Sequence, residues 1–132
     1  MVYVFLANGF EEIEAVVPID LLKRAGVEVT TVGIGGDSIK GRSGIEIYAD
    51  VVEYVGLGNE MEMIVLPGGQ PGTNNLEASS VVQDTIDYCV SKGVYIAAIC
   101  AAPTILGHKD LLKDQAAVCY SGLENELNCL TS

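Results

Sequence analysis

Cys100 stands where a chain presents a nucleophile: the apolar run Val94-Tyr95-Ile96-Ala97-Ala98-Ile99 leads straight into it, and a helix starts directly after it at Ala101-Ala102-Pro103. A sharp strand-to-helix turn forces its central residue into a strained backbone conformation. It also brings the two segments so close that the neighbours must be small, as Ala98, Ala101 and Ala102 are. The helix that follows aims unpaired N–H groups and its positive end at the sulfur, which favours thiolate over thiol. An apolar cysteine is ordinarily a small buried hydrophobe, and the small-x-Cys-x-small pattern is what outweighs that reading here. A second candidate is the loop Pro67-Gly68-Gly69-Gln70-Pro71-Gly72, whose composition puts backbone N–H groups within reach of a ligand.

The surrounding elements must bring these residues together. Val2 to Leu6 reads as a strand buried on both faces, and Glu11 to Ala25 as a helix with acids at its start, Lys23 and Arg24 at its end and Gly26 as its stop. Its apolar positions form two stripes, Ala15, Ile19, Leu22 and Ile13, Val16, Val17, Leu21. Pro18 predicts a kink near residues 14 to 18 that would re-aim Glu14. Further strands are predicted over 27–34 and 61–66, and a hairpin or edge strand over 43–50. A helix is predicted over 79–92, stopped by Gly93, and another over 104–107 after the Cys100 turn, with two short strands at 116–120 and 129–131. Strands alternating with helices mean a mostly parallel sheet with helices on both faces, an α/β three-layer sandwich. Such sheets bind ligands at the carboxyl ends of their strands, and the loops after residues 7, 66 and 99 all lie at that edge. Glu14, Gly68, Gly69 and Cys100 are thereby expected in one place.

Composition narrows the function. The 132 residues are enough for one domain with a core of its own, and 49% hydrophobic content is that of a globular protein. Eighteen acids against seven basic residues give a net charge of -11, which repels phosphate backbones and anionic lipid. Nucleic acid and membrane are therefore not expected as partners. The start lacks the basic segment of a secretory leader, and no apolar run is long enough to cross a bilayer, so a cytoplasmic location is expected. Cys89, Cys100, Cys119 and Cys129 form no C-x-x-C pair and His108 is the only imidazole, so neither a metal site nor a disulfide framework is expected. Cys89, Cys119 and Cys129 read as buried apolar side chains.

Three segments in fixed order and spacing, Asn8-Gly9-Phe10-Glu11-Glu12-Ile13-Glu14-Ala15-Val16-Val17-Pro18-Ile19-Asp20, Val65-Leu66-Pro67-Gly68-Gly69 and Ala97-Ala98-Ile99-Cys100-Ala101-Ala102-Pro103-Thr104, resemble the ThiJ/PfpI superfamily, most of all the branch that contains the parkinsonism-associated deglycase. The resemblance implies a flavodoxin-like fold related to class I glutamine amidotransferases and a homodimer without metal or organic cofactor. It implies Cys100 as nucleophile and redox-sensing thiol, Glu14 as the buried glutamate beside it, and the Gly69 and Ala101 amides as an oxyanion hole, with Gly68 and Tyr120 in the pocket. Glu11 and Glu12 are left as acids of a dipole-favoured first turn.

The resemblance also implies a glutathione-independent glyoxalase and deglycase: an enzyme converting methylglyoxal-type 2-oxoaldehydes and early glycation adducts to 2-hydroxy acids. A redox-sensing, chaperone-like stress protein with Cys100 oxidised to a sulfinate is the alternative. Two departures qualify it. Tyr120 stands where human-type members carry a histidine beside the cysteine, and His108 reads as a helix-end cation, so no Cys-His pair supports papain-like proteolysis. Members of the family also continue past a Leu-Thr-Ser like Leu130-Thr131-Ser132 into a further helix, so either the 1–132 domain is C-terminally incomplete, as expected here, or one sheet face is covered by a neighbouring subunit.

Overall fold

A strand with no exposed residue in six needs neighbours on both edges and cover on both faces, and Val2–Ala7 (β1) has all four. The computed structural model describes residues 1–55 and 60–132. After β1 come α1 (Glu12–Arg24), β2 (Val29–Ile34), β3 (Ser38–Lys40), β4 (Glu46–Tyr48), β5 (Val51–Val52), β6 (Met63–Leu66), α2 (Gly72–Glu77), α3 (Ser80–Lys92), β7 (Tyr95–Ala98), α4 (Pro103–His108) and a 3₁₀ turn at Glu124–Glu126. The main sheet has the order β5-β2-β1-β6-β7 and every pairing in it is parallel. The chain leaves β1 toward β2 and later returns to β6 on its other side, so the order reverses between β1 and β6, the place where such sheets open a crevice at their carboxyl edge.

Period-two alternation divides β1 between the faces. Tyr3, Phe5 and Ala7 pack in a cluster with Leu76, Val82, Ile86 and Ile105, from α2, α3 and α4. Val2, Val4 and Leu6 pack with Phe10, Ala15 and Ile39, beneath α1 and the β3–β4 hairpin. The expected α/β layering with helices on both faces is what the chain forms.

Four expectations are corrected. Of the two apolar stripes on α1, Ala15, Ile19 and Leu22 face the sheet, whereas Ile13 and Leu21 are 69% and 59% exposed and Val16 and Val17 are also open. A surface helix has one inward stripe, and the longer run of apolar residues hid which. A groove of about 530 Å³ lies between α1 and the sheet, lined by Ile13, Val17, Leu21, Met63, Val65 and Ile99 among others. Residues 116–120 and 129–131 form no strands; they meet at a single parallel bridge between Ala116 and Thr131. Cys119 and Cys129 are half-buried, and only Cys89 is fully enclosed, where burial pushes its thiol up to about 11. Finally, α2 begins inside the stretch read as loop.

Glu12 is the residue whose role differs most from expectation. It is buried, and its Oε2 accepts the Ser43 N–H at 2.9 Å and the Ile45 N–H at 3.2 Å, tying the hairpin to the start of α1. Burial opposes its charge, but the N–H groups of Glu12, Ile45 and Ser43, aided by the Arg42 charge, prevail and hold the carboxyl below its usual value. A depressed carboxylate contributes stability above its ordinary pKa and loses it as the pH falls through the folded value. Protection of the Ser43 and Ile45 amides, corrected for the intrinsic exchange rate, will therefore hold through the ordinary carboxylate range and be lost at lower pH, and in Glu12→Gln it will be weak already at neutral pH.

Candidate active site

Three loops meet at the carboxyl edge of the sheet, after β1, β6 and β7. The last holds Cys100 at φ 63°, the left-handed region expected of a strained turn. The turn is pinned on both sides: Ile99 N–H donates to Leu66 O at 3.3 Å, Ala102 N–H to Ile99 O at 3.0 Å, and Tyr120 N–H to Cys100 O at 2.7 Å.

Glycine at 68 lets the other two loops approach. A Cβ there would lie 2.6 Å from Glu14 Oε1 and 2.8 Å from Cys100 Cβ, so the carboxyl and the cysteine flank one point. The Gly68 N–H donates to Glu14 Oε1 at 3.0 Å, and Gly68 O accepts the Glu11 N–H at 2.9 Å, which locks the loop to the start of α1. Gly69 takes φ 91°, and its carbonyl accepts the Thr73 N–H at 2.8 Å; among the described residues the Gly69 N–H meets no acceptor. Glu14, Gly68, Gly69, Cys100 and Ala101 are thus brought together. Tyr120 joins through its backbone, with its side chain 60% exposed.

The electrostatics run against the expected thiolate. Burial is the largest influence on Cys100 and pushes its thiol up; the charge of Glu14 and the hydrogen bond to it push the same way, and only the Ala101 N–H pulls down. The helix α4 starts three residues later at Pro103 and is six residues long, too remote and short to prevail. A charged carboxylate beside the sulfur therefore favours the thiol over the thiolate.

Sequence reasoning missed Glu11, whose charge also reaches Cys100. Its position in the loop directly after β1 was the available signal. His108 is placed as expected, at the end of α4, where Glu77 and Glu126 hold it away from the sulfur. Cys119 precedes Tyr120, whose N–H reaches the Cys100 carbonyl, and burial together with the charges of Glu124, Cys129 and Glu126 pushes its thiol up. Among the described residues no group of three or more His, Cys, Asp or Glu could hold a metal ion, and no helix is long and apolar enough to cross a membrane.

Residues 1–131 match the DJ-1/PfpI family. The chain is 36% identical over 125 residues to protein dj-1beta of Drosophila melanogaster, covering 94% of this chain and 67% of the fly protein. It is 32% identical over 111 residues to the glutathione-independent glyoxalase DJR-1.2 of Caenorhabditis elegans, covering 84% of this chain and 59% of that one. Among solved structures, oxidized DJ-1 of Toxoplasma gondii superposes with a TM-score of 0.89 at 32% identity, covering 95% of this chain and 69% of that one. The crystal structure of the fly DJ-1beta also superposes with a TM-score of 0.89 at 32% identity, covering 99% of this chain and 73% of that one. Matched by the family over residues 1–131 and by relatives and structures at 32–36% identity, the chain belongs to the DJ-1/PfpI family.

Proposed function

We propose that this protein is a cysteine-dependent, glutathione-independent glyoxalase acting on methylglyoxal-type 2-oxoaldehydes, with the same addition chemistry reversing early glycation adducts. The observation that carries this reading is the placement of Glu14 and Cys100 on either side of Gly68. The thiol proton moves to Glu14 as the sulfur attacks the aldehyde carbon, giving a hemithioacetal whose oxyanion the Gly69 and Ala101 amides receive. Glu14, returned to carboxylate when its proton neutralises that oxyanion, takes the proton from the former aldehyde carbon and delivers it to the adjacent carbon, which leaves a thioester. Water cleaves the thioester to the 2-hydroxy acid and regenerates the thiol, so methylglyoxal plus water gives lactate. The nematode relative, named as a glyoxalase, supports the substrate class. Gly68 and Tyr120 border the pocket, the chain acts as a homodimer in the cytoplasm, and the open face of α1 suits a protein partner of its own kind.

Lactate release from methylglyoxal by purified protein tests the reading. Glu14→Gln will lower kcat/KM about 10²-fold, the usual worth of a positioned acid–base group. Because the Glu14 charge raises the Cys100 thiol, the same variant will shift the pH midpoint of Cys100 alkylation downward. Slower turnover with a more easily ionised thiol is a combination that general damage to the site would not produce. The alternative, a redox sensor, is favoured by a relative solved in oxidized form. It predicts a gain of two oxygens on Cys100 after mild peroxide, with no lactate formed.

A further inference from the structure

We infer that His108, as an imidazolium, is a positioning residue: it clamps residues 119–128 onto α2 and α4, holds the Tyr120 N–H on the Cys100 carbonyl, and relaxes that contact when it loses its proton.

The ring sits between two carboxylates from different elements. Its Nδ1 is 2.6 Å from Glu77 Oε2 at the end of α2, and its Nε2 is 3.1 Å from Glu126 Oε1 in the 3₁₀ turn. A neutral imidazole carries one N–H and can donate to only one of them; the imidazolium serves both. Deprotonation therefore removes one hydrogen bond and leaves two carboxylates around an uncharged ring.

The clamped segment is seated firmly enough to transmit the change. Leu127 is fully buried, and Asn128 Nδ2 donates to Gly107 O at 3.1 Å. Gly107 permits the approach, since a Cβ there would collide with the Glu126 carbonyl and lie 2.6 Å from Leu127 Cα. From this anchor the segment is bonded back to its other end: Leu127 N–H to Glu124 O at 3.1 Å, Glu126 N–H to Leu123 O at 2.9 Å, and Leu123 N–H to Tyr120 O at 3.1 Å. Tyr120 N–H then reaches Cys100 O at 2.7 Å, and α4, which ends in His108, begins three residues after that same cysteine. One short helix and one strap thus join the imidazole to the turn that carries the thiol.

The charged groups around the ring set the direction. Glu77 and Glu126 face it from α2 and from the strap; Lys109, beside it, is engaged by Asp87 at 2.9 Å and Gln83 at 2.8 Å on α3. Cys119 of the strap lies near Glu124 and Glu126, is held above the ordinary thiol value and keeps its proton throughout. The hydrogen bond to Glu77 raises His108 most, burial opposes, and the Glu77 charge and the Glu126 contacts add to the rise. A raised imidazole contributes its clamp fully below about pH 6.5 and loses it as the pH climbs through the raised value.

Nuclear magnetic resonance of the ¹⁵N-labelled protein between pH 5.5 and 8.5 tests this. The Tyr120 amide shift will titrate with the same midpoint as the His108 ring, above 6.5. Its exchange protection, corrected for intrinsic base catalysis, will fall about threefold across that step, as befits a partly exposed ion pair. In His108→Gln the step will vanish and protection will stay at the high-pH level, and Glu126→Gln will lower the midpoint. A Tyr120 amide blind to the His108 titration, or a step that persists in His108→Gln, overturns the proposal. Should His108→Gln not fold, coincidence of the two midpoints in the native protein and their joint shift in Glu126→Gln decide it. The inference rests on Cys100 as the reacting thiol only for its consequence in catalysis, and the amide measurement stands whether or not lactate is formed.

Discussion

Cys100→Ala will reduce lactate formation from methylglyoxal at least about 10⁴-fold, because loss of the nucleophile removes the step that all later ones use. No other thiol can substitute. Cys89 is sealed in the core with its thiol pushed up to about 11, while Cys119, on the strap, is held up by burial and by the charges of Glu124, Cys129 and Glu126 in place of Glu14. Alanine at φ 63° is strained by about as much as the native cysteine, so the variant will fold and its melting temperature will stay near the native one. Cys100→Ser will be as inactive, since no imidazole stands near it to act as base. Lactate production by a folded Cys100→Ala protein would remove the proposed chemistry altogether. The same variant will also lose the two-oxygen gain after peroxide.

Gly68→Ala will lower kcat/KM about 10²-fold, through geometry alone. The new methyl group would lie 2.6 Å from Glu14 Oε1 and 2.8 Å from both Cys100 Cβ and Ile99 O, so carboxyl and turn must separate by something near an ångström. The carboxyl end can swing away, but Cys100 Cβ and the Ile99 carbonyl belong to a turn pinned by three backbone hydrogen bonds. Overpacking of this kind costs about 1–3 kcal/mol of stability. Thermal unfolding and steady-state kinetics on one preparation will separate the two effects: activity must fall well below what the unfolded fraction explains. A variant with native kinetics would show that Glu14 and Cys100 need not face each other.

How much of this was legible beforehand follows from what each residue's neighbours in sequence reveal. The parallel layering was readable because β1, β6 and the strand before Cys100 are short apolar runs bounded by turn residues. The left-handed cysteine was readable because small residues surround it. The direction of its proton affinity was not: local sequence announces the helix start, whereas burial and Glu14 act through space from elements 86 residues away in the chain. Glu12 was misread for the same reason, its partners Ser43 and Ile45 lying more than thirty residues on. Two apolar stripes on α1 could not be ranked, because only the sheet decides which one faces inward. The 3₁₀ strap carries almost no periodic signal, yet it supplies the contact to the Cys100 carbonyl.

The central position of β1 also shapes how the molecule comes to exist. Its register pairs Val2 with Val29 on one edge and with Met63 on the other, so the second partner is translated 61 residues later. At ribosomal speeds of about 5–20 residues per second that is an interval of roughly 3–12 s. During it the most water-averse segment of the chain has at most one flank paired, and nascent-chain chaperones have their longest opportunity to engage it.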